Sequence, residues 1–550
     1  VKGKNMIKKS ILAICSLSLL LGLSACTAKK SDINNENKID TKMNEALSSD
    51  NIVRTAIKSD IQTIDMHKTS NNYMVPLNVF DRLVEVEVKD GKSEIVPSLA
   101  KSWDISEDGK TYILHLMEGV KFHNGEDFKA DDVVYSLNRI VTVQGAVNSG
   151  FVSQIEGFDG LANGVATELS GVKAIDDYTI EIKLKEPYAG FMASLAAAPV
   201  SILDEKTTTM AGDKFGIEPE FTVGTGPFKL KEWKLNEGIE LVKNENYWKE
   251  APKIDGVEIK VVPDTETQNI MYRNGELDIL DLDYMVDYIP TYKQEFKDNL
   301  VSVPRVGITY FTFNENIEPL NNVNIRKALS MAIDRQAIVD SMYNGTASIE
   351  NGIFPKGLIG HNENIEAIEY NTEKAKEILA AEGYPNGFDM EIAIDSASSD
   401  TTKSVLEIIS EQLSEIGVNA SLKTYDESTW LATRKAGELG SFMSIWTADY
   451  NDPDNFIYTF FGTDENTKLR SLNYKDKEVI DRVAKARAII NEDERIKEYQ
   501  ALEKKIISED RAWLPMYAKE HYFALGKNIS NFTPNWAGIS DMQFYSIKKN

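Results

Sequence analysis

The chain has 550 residues, of which 42% are hydrophobic and 27% charged, an ordinary globular composition with length for roughly two to four domains. Its formal net charge of -25 argues against nucleic acid and against a polybasic membrane contact, both of which require a basic face. Such a balance fits an extracytoplasmic protein with a neutral or cationic ligand.

Both cysteines, Cys15 and Cys26, fall near the start. Lys2, Lys4, Lys8 and Lys9 form a positive leader, Ile11 to Leu23 an apolar run, and Leu23-Ser24-Ala25-Cys26 closes it with small residues before a cysteine. The run is too short to serve comfortably as a permanent membrane span. This pattern resembles a bacterial lipoprotein signal over residues 1–25. It implies cleavage before Cys26, lipid on that cysteine, and an extracytoplasmic protein anchored to the cell membrane. Cleavage would leave no disulfide and, by removing four lysines and no acid, take the charge from -25 to -29. Residues 26–50 are polar and poor in aliphatics, so they read as a flexible tether with a reach of roughly 25–30 Å.

Folded sequence begins at Asn51-Ile-Val-Arg-Thr-Ala-Ile, a first strand. Asp81 to Val88, Tyr112 to Leu116 and Asp177 to Leu184 alternate with a period of two, the mark of strands with one covered face. A turn is expected at Asp108-Gly109. Ala130 to Ile140 is expected to be a helix, with Asp131 as its N-cap and Val133, Val134, Leu137 and Ile140 on one face. His123 has no second histidine or cysteine at ligand spacing, so no metal site is expected. Gly224-Thr-Gly226 runs into a proline and the hairpin Phe228–Val242 rather than into a helix, and so is no phosphate cradle; no cofactor is expected.

From Thr309 the pattern changes to strands alternating with helices. One helix is expected over Val323–Val339. A helix capped by Asn371 and stopped by Gly383 leads to the strand Asp389–Ile394. The helix Ser404–Ile416 then leads to the strand Asn419–Lys423. Ligands of such α/β regions gather at strand carboxyl ends. The next apolar run, from Phe442, reads as a buried strand continuing the series. It breaks into Ala448-Asp449-Tyr450-Asn451-Asp452-Pro453-Asp454, three carboxylates interleaved with aromatics. A carboxylate just past a strand end, beside Trp446 and Tyr450, is placed to hold a cation in a partly dry cleft, although helix-capping aspartates in a surface loop give the same local pattern. Residues 476–509 read as charged helix with a solvated face. The segment from Leu514 to Ser546 is strand-like again, so the chain is expected to leave one lobe near Val303 and return near Leu514.

Several motifs occur together and in order: Leu99-Ala-x-x-Trp103, Gly109-Lys-Thr-Tyr112, Gly119-Val-Lys-Phe-His-Asn-Gly125, Ala130-Asp-Asp-Val133 through Asn138-Arg139, Gly224-Thr-Gly-Pro-Phe228, Asn246-Tyr-Trp248, Asn324-Ile-Arg326 through Asp334-Arg335, and Trp446-Thr-Ala-Asp449. The combination resembles the family 5 extracellular solute-binding proteins, the peptide receptors of bacterial ABC importers; Met117 departs from the arginine common in that family. The resemblance implies an α/β, two-lobed, periplasmic-binding-protein-like fold of type II with an extra subdomain in the first lobe and a two-stranded hinge. The corresponding boundaries are 51–305 for the first lobe, 306–513 for the second and 514–550 for the return.

The resemblance also implies that peptide is captured between the lobes and delivered to a permease, by a monomer without catalytic activity. By motif position Asp449 would bind the peptide α-amino group, with Trp446, Tyr450 and Trp430 lining side-chain pockets. Dipeptide-type members hold the peptide carboxylate with an arginine. Here that region reads Asp400-Thr-Thr-Lys403, so Lys403 is the candidate substitute and longer peptides are favoured. The alternatives are a non-peptide solute (a metal chelate or an oligosaccharide), a relay of signalling peptides and, from another class, a secreted hydrolase, for which no His-Glu-x-x-His or Gly-x-Ser-x-Gly is present.

Overall fold

The computed structural model describes residues 51–89 and 92–550; the leader, Cys26 and the tether lie outside them. Ile52–Ile57 does form a strand, parallel to Gly256–Val261 and followed across the sheet by Gly238–Lys243 and Phe228–Lys234. The alternating segments Thr111–Leu116 and Thr179–Lys183 pair in a second four-stranded sheet, whose outer strands are Ala100–Ile105 and Val172–Asp176. Ala100–Ile105 is a strand that its composition hides, since most of its residues face solvent.

The helix after this motif region runs over Ala130–Thr142. Asp131 is not its cap: the Lys129 N–H donates to Asp132 Oδ2 at 2.9 Å, closing the first turn from inside the helix. His123 ties two motifs together, its Nε2 lying 3.0 Å from the Gly226 carbonyl while its Nδ1 accepts the Gly224 N–H at 3.3 Å. The glycines are required by close approach, because a Cβ on Gly224 would lie 2.1 Å from the Val79 carbonyl oxygen.

A six-stranded sheet joins the two parts of the molecule through the 13-residue strand Trp513–Leu525. The first half of this strand pairs with Gly307–Thr312 and Ala347–Ile349. Its second half, from Glu520, pairs with Leu300–Pro304 and Ile279–Asp281. The chain therefore crosses twice, once between Pro304 and Gly307 and once inside this strand. Gly538 packs on the first crossing, so closely that a Cβ there would lie 2.2 Å from the Pro304 carbonyl oxygen.

Asp389–Asp395 and Asn419–Tyr425 form the expected parallel pair, with the helix Asp400–Ser414 crossing between them. The single helix expected over Val323–Val339 is two, Val323–Ala332 and Arg335–Met342, because Asp334 leaves helical geometry and caps the second by accepting the Ala337 N–H at 2.9 Å. The run after Phe442 departs from expectation too. Ser441, just before the run, bridges in parallel to Ile392 as the series requires, but Met443–Thr447 is half-buried and leaves that pair to lie antiparallel to Gly307–Thr312 at the edge of the six-stranded sheet. The charged helices Lys477–Ala486 and Glu492–Lys504 are not simply solvated, since Arg495 and Glu503 are buried.

Candidate functional site

The loop from Ala448 to Asp454 leaves the edge strand and enters the helix Asp454–Phe461. Its three carboxylates differ in what they meet. Asp452 is buried and accepts from Arg495 at 2.7 Å, while also receiving the Asp454 N–H at 2.9 Å. Asp454 is buried against Arg487 at 2.9 Å, and its carboxylate also accepts from Tyr499 at 3.2 Å and Tyr450 at 3.3 Å. Both are thus members of buried ion pairs, a larger role than the turn and capping duties their spacing around Pro453 indicates.

Asp449 has no basic side chain within ion-pair distance among the described residues. Its Oδ2 accepts from Asn455 Nδ2 at 3.1 Å, and its N–H donates to Asn455 Oδ1 at 3.0 Å. Asp449 is exposed to solvent, although much protein surrounds its carboxylate. Desolvation holds its carboxyl above the usual aspartate range, against the Asn455 hydrogen bond and the more distant positive charge of Arg470. A carboxylate of this kind gains from any cation that enters with N–H donors.

Asn455, which sequence reasoning missed, also accepts the Trp446 indole N–H at 3.2 Å and so orients both site residues. Trp446 is half-buried, edge-on to Phe460 at 5.5 Å, with the Arg470 guanidinium 4.7 Å from its ring centre. Tyr450 turns its hydroxyl to Tyr188, which donates to it at 2.9 Å, and its ring meets Phe151 at 6.3 Å. Tyr73 comes near enough for the Asp449 charge to contribute, behind burial, to holding its phenol in the neutral form. The loop is thus faced by three aromatic residues from the N-terminal part of the chain.

The two remaining candidates, Trp430 and Lys403, have these surroundings. Trp430 packs edge-on against Phe442 at 5.4 Å and supports the Arg434 guanidinium at 5.1 Å, so it backs the cleft through that arginine. Lys403 stands in the first turn of its helix with its ammonium 3.5 Å from Asp400, an exposed local pair. Nothing in the local sequence marks Asn455 or Arg470, because their roles depend on how the loop and following helices pack.

A two-part α/β chain with two crossings, and an unpaired carboxylate where its parts meet, is the architecture of a binding protein that holds a solute between lobes. The family model "bacterial extracellular solute-binding proteins, family 5 Middle" matches residues 94–468, and this chain belongs to that family. It is 31% identical to the dipeptide-binding protein of Escherichia coli over 80% of this chain and 82% of that one. It is 30% identical to heme-binding protein A of Haemophilus influenzae over 85% of this chain and 86% of that one. The structure of DppA from Helicobacter pylori, an ABC transporter-associated periplasmic binding protein in complex with the peptide STSA, matches with a TM-score of 0.71 and 28% identity over 90% of this chain and 98% of that one. No described helix is long and apolar enough to cross a membrane.

Proposed function

We propose that this chain captures peptides with a free amino terminus for an ABC importer, with Asp449 as the amine anchor. The observation that carries the reading is the division of labour in one loop: Asp452 and Asp454 are matched by Arg495 and Arg487, and Asp449 is left without a cation. A peptide ammonium supplies both the charge and the donors that this carboxylate lacks.

Met443–Thr447 is an edge strand, and among the described residues no further strand pairs with its outer side. A bound peptide added there would gain main-chain hydrogen bonds irrespective of its sequence. Trp446 and Tyr450 then line the path of its first side chains. Lys403, paired only with Asp400, remains available to a peptide carboxylate. The two crossings serve as hinge between lobes covering 51–305 with 514–550 and 306–513. The signal at 1–25, with lipid on Cys26 and the tether 26–50, would hold a monomer outside the cell membrane beside its permease. Relatives named for dipeptides support the peptide reading. The relative named for heme gives weight to a second reading, a non-peptide solute in the same cleft.

The test is calorimetric titration with tripeptides bearing free or acetylated amino termini. Asp449→Ala should weaken binding of the free peptides by about 2–5 kcal/mol and leave the acetylated ones unchanged. Equal loss for both would overturn the amine-anchor assignment, and failure of every peptide to bind would favour the non-peptide solute.

A further inference from the structure

The two parts of the chain are joined at the crossings, but they also touch beside the loop Ala448–Asp454. A solute enters a cleft only when its lobes separate, so any other contact between them must break on opening and re-form on closing. This second contact is built around Tyr188. The segment Pro187-Tyr188-Ala189-Gly190 follows the strand Thr179–Lys183. Tyr112, in the neighbouring strand, donates its hydroxyl to the Tyr188 carbonyl at 3.1 Å and ties the segment to its own sheet. Gly190 lets the Tyr188 ring fold back across it, since a Cβ there would lie 2.8 Å from the Tyr188 hydroxyl oxygen.

So placed, Tyr188 is buried against residues of the 306–513 part. Its hydroxyl donates to Tyr450 at 2.9 Å, and Tyr450 donates on to Asp454 at 3.3 Å. This short relay ends on a buried carboxylate, the acceptor that makes the strongest hydrogen bonds. The Arg487 guanidinium lies 4.4 Å from the centre of the Tyr188 ring. The next residue adds a main-chain bond, the Ala189 N–H donating to the Arg487 carbonyl at 2.9 Å. An apolar touch flanks these, for the turn at Gly109 comes so close to Ile490 that a Cβ would lie 2.3 Å from its Cδ1. Burial first, then the neighbouring phenol and the Asp454 charge, keep the Tyr188 hydroxyl protonated and able to donate.

The Tyr188 and Tyr450 hydroxyls and the Ala189 N–H are thus satisfied by protein alone, whereas Asp449 in the same loop has no cation. One loop therefore carries a contact that needs a ligand and a contact between lobes that does not. A contact that favours the closed form raises the population competent to hold ligand, and so strengthens binding of every solute by one common factor.

We propose that Tyr188 is a positioning residue for capture: a latch across the lobes that favours closure before any ligand enters, and strengthens binding without selecting among solutes. The proposal rests on the two-lobed architecture and not on which solute the cleft takes.

The test compares wild type, Tyr188→Phe and Tyr188→Ala, each stripped of co-purified solute by unfolding in urea and refolding. Small-angle X-ray scattering reads closure in the ligand-free protein, and calorimetry reads binding of Ala-Ala-Ala and Ala-Phe-Ala. The radius of gyration should rise from wild type through Tyr188→Phe to Tyr188→Ala. Both tripeptides should weaken by the same factor, about two- to tenfold for Tyr188→Phe, which loses one hydrogen bond, and about tenfold or more for Tyr188→Ala, which also loses the ring under Arg487. A purely structural role would lower the urea midpoint and leave ligand-free scattering and affinity unchanged, and that result overturns the latch. So does a loss confined to one tripeptide, which would make Tyr188 a ligand contact. Should the Tyr188 variants not fold, Ile490→Ser, on the other side of the same contact, carries the same comparison. If neither tripeptide binds wild type, the peptide reading fails and scattering alone decides the latch: a larger radius in the variants supports it, and identical curves overturn it.

Discussion

Three aspartates within one turn of chain should respond to the same substitution in opposite ways. Asp452 lies 2.7 Å from Arg495, and the two side chains are only 4% and 5% exposed. At an effective dielectric near 20, unit charges at that distance attract by about 6 kcal/mol, before the cost of removing both from water is subtracted. Replacing Asp452 by Asn leaves the Arg495 charge buried with its attraction gone, a loss of about 3–5 kcal/mol. Asp449→Asn has the opposite setting. No cation is lost, the amide oxygen can still accept from Asn455, and the carboxylate charge that burial disfavours is removed. Its stability should hold or rise slightly at neutral pH while ligand affinity falls. A folded-state pKa above the unfolded value means that the Asp449 carboxylate costs stability above that pKa, so any gain from Asn should fade as the pH falls and the wild-type carboxyl protonates. Urea unfolding of the ligand-free protein, followed by tryptophan fluorescence, reads the midpoint of each variant. The double variant Asp452→Asn/Arg495→Met should lose less than the sum of the singles, because each single strands the partner. If Asp449→Asn destabilises as much as Asp452→Asn, the separation of one functional carboxylate from two structural ones is wrong.

At the crossings, His521 lies 2.7 Å from Asp281 and 3.8 Å from Asp283, with the Arg305 guanidinium 3.4 Å away. Burial pulls the imidazole pKa down and Arg305 opposes its charge, but the charge of Asp281 and its hydrogen bond win and hold it above the ordinary value. Stability from this group is therefore complete below about pH 6.5 and lost as pH rises through the folded pKa. The urea midpoint should fall over that range in wild type and stay flatter in His521→Gln; parallel profiles would refute it. Asp541, pushed up to about 6 by burial and the nearby Asp281 charge, gives an earlier decline in the same direction that the variant should retain. Finally, Cys26→Ser should release the protein into the medium in its native host; retention in the membrane fraction would contradict lipid anchoring.

Local patterns were legible where they reflect local physics. Alternation located Thr111–Leu116 and Thr179–Lys183, and the cap Asn371 with the stop Gly383 bounded the helix Thr372–Ala381. The parallel pair at Asp389–Asp395 and Asn419–Tyr425 followed from a helix lying between two short strands. What failed depends on distant partners. An apolar run says that Met443–Thr447 is extended, but not that its neighbour is the antiparallel Gly307–Thr312, more than a hundred residues earlier in the chain. Charge on Lys477–Ala486 and Glu492–Lys504 looks solvated until Arg495 is seen to meet Asp452, 43 residues away. A motif can also mark a position without its supports: Trp446-Thr-Ala-Asp449 is plain in sequence, whereas Asn455, which holds both ends of it, is one asparagine among many.

The distribution of partners leaves one carboxylate of this loop bare while its two neighbours are matched. Asp449 and Arg470 are near enough to feel each other's charge yet make no ion pair, and Asn455 and Trp446 hold them in place from behind. Had they closed on each other, the site would be satisfied without ligand, and binding would have to break that pair first. Held apart, each retains unused hydrogen-bonding capacity at a cost in stability that the buried pairs Asp452–Arg495 and Asp454–Arg487 offset within the same loop and its neighbouring helices. A ligand amine would meet Asp449 without first having to displace a protein cation. The interval between Asp449 and Arg470, more than the carboxylate's charge alone, is what should leave Asp449 open to that amine.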